Sequence, residues 1–137
     1  PDLDLEALIG HAFAPMAWLV GVSWQDAGVA GNLIGQKLIL NEFVGYVALS
    51  PYLKDVADVV AAGLTPLEPK TLVILSFALC GFANFSSIAI LAGGFGAVAP
   101  ALRPQVARYG LRVVAAATLS NLTSATIAGM FLHGGVS

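Results

Sequence analysis

Apolar residues form four blocks along the chain, at about residues 5–21, 22–52, 71–102 and 109–133. A helix that crosses a lipid bilayer needs about 20 mostly apolar residues. The third and fourth blocks reach that length, whereas the first is shorter and is predicted to form an interfacial or partial helix. The pattern therefore predicts an all-α integral membrane protein whose helices differ in how they meet the bilayer.

The second block is interrupted by polar residues and is predicted to form two short helices. Ser23 is expected to cap the first helix, which carries Asp26 in its first turn and extends to about Gln36. The second, apolar helix is predicted over 41–49, because a proline follows it closely. Each helix is too short to cross a bilayer, so the block is predicted to be a re-entrant helical hairpin with a polar tip.

Two glycines in the first half of this hairpin, Gly31 and Gly35, have the GxxxG spacing. Small residues at this spacing allow two helices to approach closely. We expect them to pack the two halves of the hairpin against each other.

The third block, residues 71–102, contains no charged residue but is interrupted by "CGFANFSS" at 80–87. This stretch places Asn84, Ser86 and Ser87 near the middle of an otherwise apolar segment. Transporters use such polar breaks to expose backbone and side-chain polar groups in the middle of the membrane. We therefore predict a discontinuous transmembrane helix.

The fourth block, residues 109–133, is predicted to be the final transmembrane helix. Its middle carries a group of Thr, Ser and Asn side chains that includes Asn121. Such residues form hydrogen bonds between neighbouring transmembrane helices, and this is the favoured interpretation. A share in a polar cavity is the alternative.

The composition supports the assignment to a membrane protein, and the charged residues predict how the chain is oriented in the membrane. The chain is 58% hydrophobic and 10% charged, whereas soluble domains average about 25% charged residues. The net charge of −2 gives no sign of nucleic-acid binding. Residues 99–112 contain arginines and no acid, which predicts a cytoplasmic position, and the more acidic stretch 53–70 is predicted to be outside. The C-terminus is then expected to be external or periplasmic.

The candidate chemistry comes from "NEF" at 41–43 and "FANFSS" at 82–87. An ionised carboxylate such as Glu42 is costly inside a membrane and is a functional-site hypothesis by default. Asn84 and Ser87 share one helical face, and together with Glu42 they offer the hydrogen bonds that a polyol needs. Phe82 and Phe85 are expected to form an apolar wall beside a ring.

A structural interpretation of the same residues is the alternative. Glu42 would then pair with Lys37 as an exposed ion pair at the hairpin tip, which contributes little stability. Asn84 and Ser87 would bond neighbouring helices. No metal-ligand spacing and no nucleophile–base pattern occurs, and His11 and His133 are far apart. We therefore expect neither an enzyme nor a metal site.

Three runs of sequence resemble the concentrative nucleoside transporter family. They are "PMAWLVGVSWQDAGVAGNLIGQKLILNEF", "GFANFSSIAILAGG" and "RYGLRVVAAATLSNLTSATIAGMFL", which cover most of the chain from about residue 15 to 132. The combination of K-L-x-x-N-E-F with F-A-N-F-S-S is highly specific to that family. The resemblance implies that residues 1–137 are the C-terminal portion of a transport domain, corresponding to the second of its two inverted repeats.

The resemblance also implies roles for individual residues. Glu42, Asn84 and Ser87 would bind the ribose hydroxyls, and Phe82 would lie against the nucleoside. Asn41 and Phe85, next to them in the motifs, are possible secondary contacts. The nucleobase and the coupling cation, Na⁺ or H⁺, would be bound mainly by the first repeat, outside this sequence, and no other cofactor is expected.

The expected function is cation-coupled nucleoside symport across the cell (inner) membrane by a multi-pass protein, assembled as a homotrimer. Its partners would be the nucleoside, the lipid bilayer and the N-terminal repeat of the same protein, with no nucleic acid. Two alternatives are a gate-type membrane protein that shares the repeat without transporting, and a channel subunit.

Overall fold

A computed structural model describes residues 5–132, and within that range every regular element is a helix. His133 lies outside the described residues. Two short 3₁₀ turns cover Ser50–Leu53 and Pro100–Leu102. The α-helices are α1 (Leu5–Leu19), α2 (Ala27–Ile39), α3 (Glu42–Leu49), α4 (Val56–Ala61), α5 (Pro69–Ala78), α6 (Phe85–Val98) and α7 (Arg103–Phe131).

The helices α1 and α2 cross with their backbones in close contact, and glycine makes this possible. A Cβ atom added to Gly31 would lie 2.6 Å from the Ala14 nitrogen and 2.7 Å from the Gly10 oxygen, both on α1. A Cβ atom on Gly35 would meet the side chains of Ile9 and Phe13, also on α1. The GxxxG spacing therefore packs α2 against α1, and the expectation that it joins the two halves of the hairpin is wrong.

Replacement of Gly31 by Ala is expected to destabilise the fold, because its new methyl group would overlap backbone atoms that cannot move aside. Overpacking of this kind costs about 1–3 kcal/mol. Gly28 lies on the same helix with open space around its Cβ position, so Gly28→Ala is the matched control. Thermal unfolding of the purified full-length protein in detergent should show a lower midpoint for Gly31→Ala alone. Equal midpoints for the two variants would contradict this packing.

The start of α2 differs from the prediction. Ser23 does not cap the helix, and its buried hydroxyl has no hydrogen-bond partner among the described residues. Asp26 is itself the N-cap residue and not part of the first turn. Its buried carboxylate accepts a hydrogen bond of 2.9 Å from the Glu68 backbone N–H, just before α5. The Asp26 side chain thus connects the starts of α2 and α5 and does not cap α2.

The turn between α2 and α3 is short, because α2 ends at Ile39 and α3 begins at Glu42. The third apolar block likewise contains two helices, with α5 ending at Ala78 and α6 beginning at Phe85. In both places an asparagine is the N-cap of the helix that follows, Asn41 for α3 and Asn84 for α6. These two interruptions place polar residues at the starts of α3 and α6.

The last helix is longer than predicted, since α7 begins at Arg103 and not near residue 109. A proline in the first turn and arginines further along are both compatible with a helix. The arginine-containing stretch is therefore the first part of α7 and not a loop before it. By length and composition, Pro100–Phe131 is the one helix of the described chain suited to cross a membrane. Helices α1, α5 and α6 are apolar but shorter.

The buried core lies where α1, α2, α5 and α7 meet, and it includes Ala17, Ile34, Ile74, Leu75 and Leu122. Helix α6 contributes no fully buried residue. Large apolar side chains on its surface and on that of α7 are exposed, as Val98 at 88% and Phe131 at 81% illustrate. These two helices thus present wide apolar surfaces outside the core, as a membrane protein does.

Candidate functional site

Two helix N-termini form the candidate site, those of α3 and α6. The Asn41 side chain accepts a hydrogen bond of 3.0 Å from the Val44 backbone N–H, and the Asn84 side chain accepts one of 2.8 Å from the Ser87 N–H. The N-terminus of a helix carries partial positive charge, which favours a nearby anion. Glu42, the first residue of α3, provides that anion.

The Asn84 side chain links the two helix starts. Its Nδ2 atom donates to Glu42 Oε2 at 3.4 Å, a long hydrogen bond, and the residue is only 3% exposed. Its Oδ1 atom lies 2.7 Å from Ser86 Oγ and 2.8 Å from Ser87 Oγ, in addition to the capping bond. Because the Ser87 backbone N–H donates to Oδ1, the amide is fixed with its NH₂ group towards the carboxylate.

The two serines attach this site to its surroundings. Ser86 Oγ lies 2.9 Å from the Leu40 carbonyl oxygen, in the turn between α2 and α3. Ser87 Oγ lies 2.8 Å from the Phe82 carbonyl oxygen. Ser86 therefore joins the hairpin turn to the helix break. Ser86 had no predicted role of its own, although its polar side chain in "FANFSS" is visible in the sequence.

The two candidate aromatic residues lie beside different cavities. Phe82 is 77% exposed, and with Ser87 it lines an apolar cavity of about 540 Å³ between α6 and α7. Phe85 lines a second cavity, of about 590 Å³, that is bordered by α1 and α7. Within the described residues the two aromatic side chains thus line different cavities and not one shared wall.

Lys37 is buried and not part of an exposed ion pair. It is 2% exposed, and its Nζ atom donates to Asn121 Oδ1 at 3.0 Å. Asn121 in turn donates from Nδ2 to the Phe77 carbonyl oxygen at 2.8 Å. The exposed ion pair with Glu42 that the structural alternative gave to Lys37 is therefore replaced by a buried hydrogen bond to Asn121. Through its two contacts, Asn121 connects α7 to both the hairpin and α5.

The described residues offer no site for a bound metal made of His, Cys, Asp and Glu side chains. His11 is exposed on α1, and its Nδ1 atom lies 2.7 Å from the Ala7 carbonyl oxygen. The chemistry at the two helix starts is therefore hydrogen bonding by a carboxylate, an amide and hydroxyl groups, in an otherwise apolar setting.

Comparison with known protein families gives a match over residues 1–129. The matching family is described as "Na+ dependent nucleoside transporter C-terminus". The match includes every residue of the candidate site.

Individual proteins and structures agree with the family match. The chain is 57% identical over 129 residues to the putative nucleoside permease NupX of Escherichia coli, covering 94% of this chain and 29% of that protein. It is 46% identical over 130 residues to the nucleoside permease NupC of Helicobacter pylori, covering 95% and 30%. A structure described as CNTnw in an inward-facing substrate-bound state matches with a TM-score of 0.89 and 49% identity, over 99% of this chain and 31% of that one.

The chain thus spans about 30% of the length of NupC, and similar fractions of the other two.

Proposed function

This chain belongs to the family of sodium-dependent nucleoside transporter C-termini, and on this premise we propose that it supplies the ribose-binding side of a cation-coupled nucleoside symporter. Proteins of this family are membrane transporters and not enzymes. The observation that carries the proposal is the approach of Glu42 and Asn84 at two converging helix N-termini.

The hydrogen-bonding capacity of this pair fits a sugar hydroxyl. Glu42 as a carboxylate can only accept, and the fixed Asn84 amide presents its NH₂ donor. A hydroxyl group between them would accept from Asn84 and donate to Glu42. The existing contact of 3.4 Å is long, so little is lost when a ligand replaces it. Ser87 Oγ, three residues further on, is the proposed partner of the neighbouring hydroxyl.

The short lengths of α2, α3, α5 and α6 support a proposed arrangement of these helices in the bilayer. We place α2 and α3 as a re-entrant hairpin and α5 and α6 as a discontinuous crossing, with the two interruptions facing a polar cavity. Irregular backbone at membrane depth is tolerated only where protein or water surrounds it. Arg103, Arg108 and Arg112 at the start of α7 would face the cytoplasm, which leaves the C-terminus outside.

The rest of the transporter would complete the site and the mechanism. The first repeat of the same protein would bind the nucleobase and the coupling cation, Na⁺ or H⁺, and three copies would form the homotrimer. Net uptake follows when nucleoside and cation bind differently to the outward-facing and inward-facing states. Phe82, an exposed residue that lines the α6–α7 cavity, would lie against the nucleoside.

Competition by sugar-modified nucleosides tests the proposal in the full-length protein. We expect 2′,3′-dideoxyuridine to compete with radiolabelled uridine at least ~tenfold more weakly than uridine does, because hydrogen bonds to charged groups contribute about 1.5–3 kcal/mol each. The matched ligand 5′-deoxyuridine keeps both ring hydroxyls and should compete nearly as well as uridine.

Equal competition by the ribo and dideoxy forms would contradict ribose recognition. Uridine flux that saturates but does not depend on a sodium or proton gradient would contradict coupling, and would favour a channel. Absence of saturable nucleoside binding would favour a gate-type protein instead.

A further inference from the structure

The second half of the chain carries positive charge without any acidic residue. After Glu68 the sequence contains no Asp or Glu, whereas the first part of α7 presents the exposed arginines Arg103, Arg108 and Arg112. The guanidinium carbons of Arg108 and Arg112 lie 5.7 and 5.9 Å from the centre of the Tyr109 ring. Two cations beside one partly exposed aromatic ring, with no carboxylate on α5, α6 or α7, form a surface that is complementary to an anion.

A small cleft and an apolar groove meet at Tyr109. The cleft, of about 300 Å³, is lined by Pro104, Gln105, Arg108 and Tyr109. Gln105 and Tyr109 also line the apolar cavity of about 540 Å³ between α6 and α7, together with Phe95 of α6. A molecule that fills both spaces needs an anionic group at one end and an apolar chain at the other.

This end of the cavity is distant from the candidate sugar site. Phe95 lies near the end of α6 and Phe85 at its start, which separates them by about 15 Å along the helix axis. Arg108 lies near the start of Pro100–Phe131, the helix suited by length and composition to cross a membrane. A bilayer crossed by this helix would place its headgroup layer there, at the depth where tyrosine is enriched.

We propose that Arg108, Tyr109 and Arg112 bind the headgroup of an anionic phospholipid, and that one of its acyl chains lies in the apolar groove beside Phe95. The guanidinium groups donate hydrogen bonds to the phosphate, whose geometry matches their fork of N–H groups. Basic sites between transmembrane helices recognise lipid headgroups in this way. The inference goes beyond the proposed function and depends on it only for the leaflet that supplies the lipid, which is the cytoplasmic one.

Lipid binding by the full-length protein tests the site without any transport. The protein is purified in detergent without nucleoside and titrated with phosphatidylglycerol or with phosphatidylcholine of the same acyl chains. Native mass spectrometry then counts the lipids that are bound. We expect phosphatidylglycerol to bind at least ~tenfold more tightly than phosphatidylcholine, and Arg108→Gln to reduce this preference about fivefold, since one guanidinium group no longer contacts the phosphate.

Arg103→Gln is the matched control, because it removes the same charge from the same end of α7 at a different position. A Cβ atom at Gly96 of α6 would lie 3.2 Å from Arg103 Cδ, so this side chain lies against α6 and not in the cleft. The preference for phosphatidylglycerol should be nearly unchanged in this variant. Equal losses in Arg103→Gln and Arg108→Gln would overturn the proposal in favour of diffuse attraction by positive charge.

Glycerophosphoglycerol, the same headgroup without acyl chains, separates a lipid site from a phosphate site. It should compete with phosphatidylglycerol at least ~tenfold more weakly than the intact lipid, because it leaves the apolar groove empty. Equal competition would overturn the proposal in favour of a soluble phosphate ligand. Absence of any preference for phosphatidylglycerol in the unchanged protein would also overturn it, and would assign the groove to the remaining part of the same protein.

Discussion

Uridine uptake by the full-length protein is expected to be abolished by Glu42→Gln, while assembly of the proposed trimer is retained. The glutamine amide fills nearly the same volume, so the turn between α2 and α3 keeps its shape. It loses the negative charge that lies at two helix N-termini and accepts from Asn84. A charged acceptor for a sugar hydroxyl is then replaced by a neutral one, and an amide donor is set against the donors of Asn84.

The measurement is uptake of radiolabelled uridine in cells without their own nucleoside transporters, with the amount and size of the purified protein as a check on assembly. Glu68→Gln is the matched control, since Glu68 is exposed and contributes its backbone N–H, not its carboxylate, to the contact with Asp26. Normal uridine uptake by Glu42→Gln would remove Glu42 from the site.

Substitutions of Asn84 should separate its two roles. Asn84→Ser keeps a side chain that can cap α6 but cannot reach Glu42, and Asn84→Ala keeps neither function. We expect both variants to lose at least ~tenfold in uridine uptake, because the donor towards Glu42 is missing in each. Only Asn84→Ala should also lose the capping contribution, about 1 kcal/mol of stability.

The matched control is Asn41→Ser, which keeps the equivalent cap on α3. The Asn41 side chain accepts from the Val44 N–H, and serine can keep that bond, so we expect uptake to be largely retained; a loss as large as that of Asn84→Ser would instead support Asn41 as the secondary contact. Uptake and thermal unfolding are measured on the same preparations. If Asn84→Ser transports uridine normally, the cap is the only role of Asn84 and its contact with Glu42 is incidental.

Local sequence features predicted the interruptions of the helices well. The polar break in each apolar block predicted these interruptions, but the capping role of Asn41 and Asn84 was not expected, although an asparagine before an apolar run is a capping signal. The end of the second block before Pro51 was predictable for the same kind of local reason, since proline restricts the residue before it. The start of α7 was missed because arginine and an early proline do not stop a helix.

Contacts between distant parts of the chain could not be predicted in this way. The GxxxG spacing permits a close helix approach but does not identify the partner, which is α1. Lys37 and Asn121 are 84 residues apart, and their contact depends on how α7 packs against the hairpin. The hydrogen bond from the Glu68 N–H to the Asp26 carboxylate likewise depends on the packing of helices that are distant in the sequence. In the candidate site, Glu42 and Asn84 were recognisable by type, while the orientation of the amide required the fold.

The placement of Asn84 at the start of α6 has a practical consequence for redesign. One oxygen atom both begins a helix and fixes the orientation of the neighbouring NH₂ group, so any change at Asn84 other than to a residue that can still cap α6 would affect both folding and the proposed sugar contact. Libraries intended to broaden the accepted nucleosides should therefore leave Asn84 and Ser86 unchanged. Variation is better directed to Phe82, whose side chain is exposed and makes no structural hydrogen bond.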